Sequence, residues 1–118
     1  MSLKPQSDKV PILAPVAPVW GELADPGQPV TAVVFECGDT TYTYPYHTLS
    51  RWILTRGTTD ILRVQTGEDE VTIHGRNLFF ISQALGHARL LVLRTAQERY
   101  SESTDAVSVT RIEVELNA

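Results

Sequence analysis

The 118-residue chain is poor in the residues and runs that identify several large classes of protein. Its one cysteine, Cys37, has no partner for an internal disulfide, and this usage is typical of a reducing, cytoplasmic compartment. No apolar run approaches the roughly 20 residues that a membrane-spanning helix needs, and no secretory signal is visible at the N-terminus. We therefore expect a cytoplasmic protein with no membrane partner.

Positive charge is also scarce. The net charge is −4, and lysine occurs only at positions 4 and 9. Residues 29–100 contain seven arginines and seven acidic residues, so this segment carries no net charge. Nucleic-acid binding is therefore not expected, because it depends on a surplus of basic side chains that neutralise phosphates.

Motifs that hold cofactors or perform catalysis are missing as well. The chain has no GxGxxG, GxxxxGK[ST], HExxH or GxSxG sequence. The three histidines (His47, His74 and His87) do not have the spacing of a metal site, and Cys37 has no second cysteine beside it. The sequence thus predicts no metal and no cofactor, and it favours a non-catalytic protein over an enzyme.

The composition that remains is that of a folded domain with an unusual N-terminus. Hydrophobic residues make up 42% of the chain and charged residues 20%, which is typical of a globular protein. Six of the seven prolines lie in residues 1–29, where they disfavour helix and interior strand. We therefore expect an extended, proline-rich arm (1–29) that lies across the domain or a partner subunit, followed by a single domain (30–118).

The clearest local pattern lies in residues 60–85. Hydrophobic and polar residues alternate on both sides of a turn at 67–69, which predicts two antiparallel strands with one apolar and one polar face. On the polar face, Arg63 is expected to lie opposite His74. Gly75 is expected to break the second strand.

A short helix is predicted at about 77–86. Asn77 is a favourable N-cap residue, and Gly86 suits the left-handed position that ends a helix. The residues at helical spacing that form its apolar stripe are Leu78, Phe80, Ile81, Ala84 and Leu85.

A hairpin is predicted over 30–46, with its turn at Gly38 and Asp39. Phe35 then faces Tyr42, and three tyrosines share one face of the returning strand: Tyr42, Tyr44 and Tyr46. The row is either a half-buried sheet face whose hydroxyls reach solvent or a recognition surface, since tyrosine gives a large contact area at low entropic cost.

Three further segments are predicted as strands. Residues 48–56 fit either a helix or a strand, and the content of Trp, Ile, Leu and Thr favours the strand. Residues 90–95 contain an apolar run typical of a strand buried on both faces. Residues 106–116 alternate with a change of phase, which indicates a bulge or a strand that serves two surfaces.

Together these elements predict an α+β fold that is mostly β. The expected architecture is an antiparallel meander sheet or partly open barrel of six to seven strands, with one short helix and the N-terminal arm.

Two functional hypotheses are favoured. The first is a non-catalytic protein-interaction or assembly module that binds a protein partner or self-associates as a homo-oligomer. The alternative is a small-ligand or anion-binding domain, for instance one for a small anionic ligand, that uses the polar sheet face or the tyrosine row. The candidate ligand-binding residues are Arg63, His74, Arg76, Tyr42, Tyr44 and Tyr46.

Overall fold

The structure, a computed structural model, describes residues 18–96 and 106–117. The part of the predicted arm that precedes residue 18 and the segment 97–105 before the last strand lie outside the described residues.

Eight strands within the described residues form two four-stranded sheets. The strands are β1 (Gly21–Leu23), β2 (Ala32–Cys37), β3 (Thr40–Pro45), β4 (Leu49–Thr55), β5 (Asp60–Thr66), β6 (Asp69–Arg76), β7 (Leu90–Leu93) and β8 (Ser108–Glu115). A 3-10 turn (Tyr46–Thr48) follows β3, and the helix α1 (Phe79–Gly86) follows β6. The order is β1-β7-β2-β3 in the first sheet and β4-β5-β6-β8 in the second, and the sheets do not close into a barrel. The predicted class, α+β and mostly β, is confirmed.

The first hairpin has the predicted register. Phe35 pairs with Tyr42 and Val33 with Tyr44, across a two-residue turn in which Gly38 has a φ of +61°. The segment that was ambiguous between helix and strand is the strand β4, which pairs with β5 along its length.

The second hairpin turns more tightly than the sequence predicts. Thr66 pairs directly with Asp69, so Arg63 lies opposite Thr72 and His74 lies opposite Ile61. The predicted Arg63–His74 pair is therefore wrong by two residues. Because side chains alternate with a period of two, this even shift leaves every residue on its predicted face.

The sequence suggested that Gly75 breaks the second strand of the hairpin. Gly75 is instead buried within β6 and pairs with Val109 of β8. A Cβ at this position would overlap the carbonyl oxygen of Ser108. Glycine is thus needed because the two backbones approach closely. The next pair is His74–Arg111, which leaves Thr110 as an extra residue, so the phase change predicted in this strand is confirmed as a bulge.

The first sheet includes residues that were expected in the arm. β1 is an edge strand that pairs antiparallel with β7, and Trp20 and Ala24 on either side of it are buried. β7 in turn pairs parallel with β2. A purely antiparallel meander is therefore wrong for this sheet, because β7, which lies between β1 and β2, follows β4, β5, β6 and α1 in the chain.

The helix begins two residues later than predicted. Asn77 lies before it with a φ of +56°, and its side chain does not cap the helix. At the other end Ala88, with a φ of +52°, takes the left-handed position expected for Gly86. No helix within the described residues has the length and apolarity that crossing a membrane requires.

One hydrophobic core joins all of these elements. It takes Val33 and Phe35 from the first sheet, Leu62 and Ile73 from the second, and Leu85 from the helix. Since α1 contacts β4 of one sheet and β7 of the other, it holds the two sheets together beside the core.

Candidate functional site

The polar face of the second sheet carries two of the predicted ligand-binding residues, Arg63 and His74. His74 Nε2 lies 3.1 Å from Oε1 of Glu113, and the other carboxylate oxygen of Glu113 lies 2.6 Å from Nη2 of Arg111. An added anion would therefore compete with Glu113 for the imidazole. Arg76, the third predicted residue, lies instead in a cleft beside the loop between β4 and β5.

The tyrosine row faces the protein more than the solvent. The Tyr44 hydroxyl donates a hydrogen bond of 2.8 Å to Oδ2 of Asp69, and the Tyr46 hydroxyl donates one of 2.8 Å to the carbonyl oxygen of Leu90. Burial raises the pKa of Tyr46 to about 12, and burial together with the bond to Asp69 raises the pKa of Tyr44 further. One hydroxyl thus links β3 to β6, and the other links the 3-10 turn after β3 to β7. Tyr42 is half-buried. A ligand-binding role for the row stays a prediction.

Within the described residues, the most exposed aromatic surface lies on the first turn of α1. Phe79 and Phe80, which we call the aromatic ridge, are 47% and 45% exposed. The neighbouring apolar residues of this segment are buried: Leu78, Ile81 and Leu85. Phe80, expected on the buried stripe, is therefore outside the core. The sequence holds the signal for this: successive helical residues point about 100° apart, so two adjacent aromatic residues cannot both share a stripe already filled by Leu78, Ile81 and Leu85.

Two grooves flank the aromatic ridge, and Phe80 lines both of them. The larger groove, of about 480 Å³, is lined by Arg56, Gly57, Asp60, Asn77, Phe79, Phe80 and Val107. The smaller groove, of about 220 Å³, is lined by Leu23, Phe80, Gln83, Ala84, His87 and Arg89. Behind the ridge, the ring of Trp20 meets Phe80 edge-on at 5.8 Å between centroids. This contact with a buried residue holds the Phe80 ring in place.

The floor of the larger groove is fixed by two side chains that bridge separate elements. Asp60, at the start of β5, accepts the Leu78 N–H through Oδ2 at 3.1 Å and the Gly57 N–H through Oδ1 at 3.4 Å. Asn77 donates a hydrogen bond from Nδ2 to the carbonyl oxygen of Ala106 at 2.8 Å. A carboxylate is favoured at a helix N-terminus, so Asp60 performs the capping role predicted for Asn77. The start of the helix is thereby tied to two other parts of the chain.

Two arginines stand at the larger groove and its polar extension. The guanidinium of Arg56 lies over the Phe79 ring, with Cζ 4.8 Å from the centroid. Arg76 lines a polar cleft of about 140 Å³ with Gly57, Thr58, Asp60 and Asn77. Because the cleft and the larger groove share Gly57, Asp60 and Asn77, they form one continuous surface.

Groups suited to metal or thiol chemistry are sparse in the part of the chain that the structure describes. Residues 18–96 and 106–117 contain no cluster of three or more His, Cys, Asp or Glu side chains that could hold a metal ion. Burial raises the pKa of the Cys37 thiol. A raised pKa lowers the thiolate fraction at neutral pH and with it the reactivity of the sulfur.

Comparisons with protein-family models, with curated proteins and with solved structures each found no match.

Proposed function

We propose that the chain is a protein-interaction module that binds an extended segment of a partner protein across the aromatic ridge. The observation that carries this proposal is the pair of adjacent phenylalanines, each nearly half exposed on a rigid helix start. Such aromatic surface is costly to leave in water, and it is enriched where proteins bind one another.

The arrangement of the grooves supports a segment that crosses Phe80. Since Phe80 lines both grooves, a chain that passes over its ring can place one side chain in the larger groove and another in the smaller groove. In an extended segment, alternate side chains point the same way and are close enough to serve as two anchors.

The exposed area indicates a modest affinity. The two rings expose about 180 Å² together, if each phenylalanine buries about 200 Å² in full, and covering this area yields roughly 4 kcal/mol. Association alone costs about 4 kcal/mol or more. The ridge by itself therefore supports transient binding, and tight binding requires further contributions from the grooves.

The proposal is tested by selecting a phage-displayed library of random 12-residue peptides against the immobilised full chain. The matched variants are Phe79→Ser and Ile53→Ser, since Ile53 is 50% exposed on the outer face of β4, away from the ridge. Thermal unfolding of each variant verifies that the domain remains folded.

We expect selected peptides to share two apolar anchors a few positions apart, to lose binding to Phe79→Ser, and to keep binding to Ile53→Ser. A selection that enriches no peptide, or peptides that bind Phe79→Ser as well as the unmodified chain, would overturn the proposal.

A further inference from the structure

The surface beside the aromatic ridge has unneutralised positive charge. In the part of the chain that the structure describes, Arg94 forms salt bridges with Glu22 and Glu36, and Arg111 forms one with Glu113. Within the same residues, neither Arg56 nor Arg76 lies within salt-bridge distance of a carboxylate. Both are exposed, although the chain as a whole has a net charge of −4.

Among the described residues, Asp60 is the one acidic residue that lines the larger groove and the polar cleft, and it is already hydrogen-bonded. Its two carboxylate oxygens accept the N–H groups of Leu78 and Gly57. Its charge faces the N-terminus of α1, whose backbone dipole carries partial positive charge. The described residues of this surface therefore include two cationic side chains and one carboxylate, and that carboxylate is already hydrogen-bonded.

We infer that the segment bound at the aromatic ridge carries an acidic residue beside its apolar anchors, and that Arg56 and Arg76 receive its carboxylate. This inference rests on the proposed function. The polar cleft shares three lining residues with the larger groove, so the acidic residue lies within about two positions of the anchor that fills that groove.

A carboxylate suits the cleft better than a phosphate does. A guanidinium pairs with either anion through parallel N–H donors. A phosphate group, however, carries close to two negative charges at neutral pH and would meet the charge of Asp60 in the same cleft. Arg56, Arg76 and Asp60 together leave one positive charge at the site, which a single carboxylate balances and a phosphate exceeds.

The test uses a set of synthetic 10-residue peptides, each with two apolar anchors separated by one to three positions. Every peptide is made with glutamate, glutamine or phosphoserine at one site beside an anchor. Binding to the full chain is measured by fluorescence anisotropy at low and at physiological ionic strength.

Two double variants have the same change of charge. Arg56→Gln with Arg76→Gln removes the proposed carboxylate site. Arg51→Gln with Arg63→Gln removes two exposed arginines from the outer face of the second sheet.

We expect the glutamate peptides to bind about threefold to tenfold more tightly than the glutamine peptides at low ionic strength, and the difference to shrink as salt is added. The Arg56/Arg76 double variant should abolish the difference, and the Arg51/Arg63 double variant should keep it.

Each of the other binding results contradicts a specific part of the inference. If the glutamate and glutamine peptides bind equally, and both lose binding to Phe79→Ser, the inference of an acidic residue is refuted and the proposed function is not. If the phosphoserine peptides bind most tightly, the statement that the bound anion is a carboxylate is refuted. No binding by any form removes both the inference and the proposed function.

Discussion

Replacing Gly75 with alanine tests the closest approach between two strands of the core. The added Cβ would overlap the carbonyl oxygen of Ser108 and would lie 2.9 Å from the carbonyl carbon of Ser108 and 3.1 Å from Cα of Val109. These are backbone atoms of a paired strand, so no side-chain rotation can relieve the overlap. β6 and β8 have to separate, and the bulge at Thr110 has to shift with them.

The expected cost follows from this overlap. Extra methyl groups in a packed core usually cost about 1 to 3 kcal/mol, and backbone movement places this case near the upper end. We expect the free energy of unfolding to fall by about 2 to 3 kcal/mol. For a domain of this size, such a loss lowers the melting temperature by roughly 10 °C or more.

Gly86→Ala is the matched control because it makes the same chemical change with the opposite expected sign. Gly86 is exposed and helical, and a Cβ there would meet only Cζ2 of Trp52, at 3.8 Å. Alanine in place of a helical glycine should stabilise the protein by about 0.5 to 1 kcal/mol. Had Gly86 taken the left-handed position, alanine would instead cost about 1 kcal/mol.

Urea unfolding followed by circular dichroism measures both variants on one scale. An unchanged midpoint for Gly75→Ala would refute the close approach of β6 and β8. A lower midpoint for Gly86→Ala would refute the helical assignment of that residue.

Two further predictions concern ionisation and the N-terminal strand. Because burial raises the pKa of Tyr46 from 10.0 to about 12, the folded protein keeps a proton that the unfolded chain loses, and stability should fall as the pH rises from about 10 to 12. The phenylalanine in Tyr46→Phe cannot ionise, so the urea midpoint should fall less between pH 7 and pH 11 for this variant than for the unmodified chain. An equal fall of the midpoint in both proteins would contradict this. A chain that starts at Gly27 lacks β1 and Trp20, which is only 7% exposed, and it should lose about 3 kcal/mol or more relative to a chain that starts at Pro18. Equal urea midpoints for the two chains would show that β1 and Trp20 add no stability.

Local patterns predicted seven of the eight described strands, all except β1, because alternation is a property of neighbouring residues. The turn at Gly38 and Asp39 fixed the first hairpin, and the change of phase before Ile112 revealed the bulge. The tight turn after Thr66 was missed, although a glycine with positive φ, such as Gly67, is typical of a two-residue hairpin turn. The predicted partners across this hairpin are therefore wrong by two residues, whereas the predicted faces of the strands are correct.

Contacts between distant residues could not be predicted in the same way. No local pattern shows that Asp60 caps a helix that begins at Phe79, because the capping residue normally precedes the helix directly. The parallel pairing of β7 with β2 is likewise absent from the periodicity of either strand. The larger groove is lined by residues from distant parts of the chain, so local patterns could not predict it, although the adjacent phenylalanines were a usable signal.

The position of β7 in the middle of the first sheet has a consequence for the order of folding. The parallel pair Val34–Val92 and the antiparallel pair Gly21–Leu93 both join residues far apart in the sequence. During synthesis, β4, β5 and β6 can therefore form their consecutive hairpins while β1 and the β2–β3 hairpin still lack the strand that lies between them. Contacts of such long range are slow to form, so we expect β4, β5 and β6 to form the folding nucleus and the pairing of β7 with β1 and β2 to follow it.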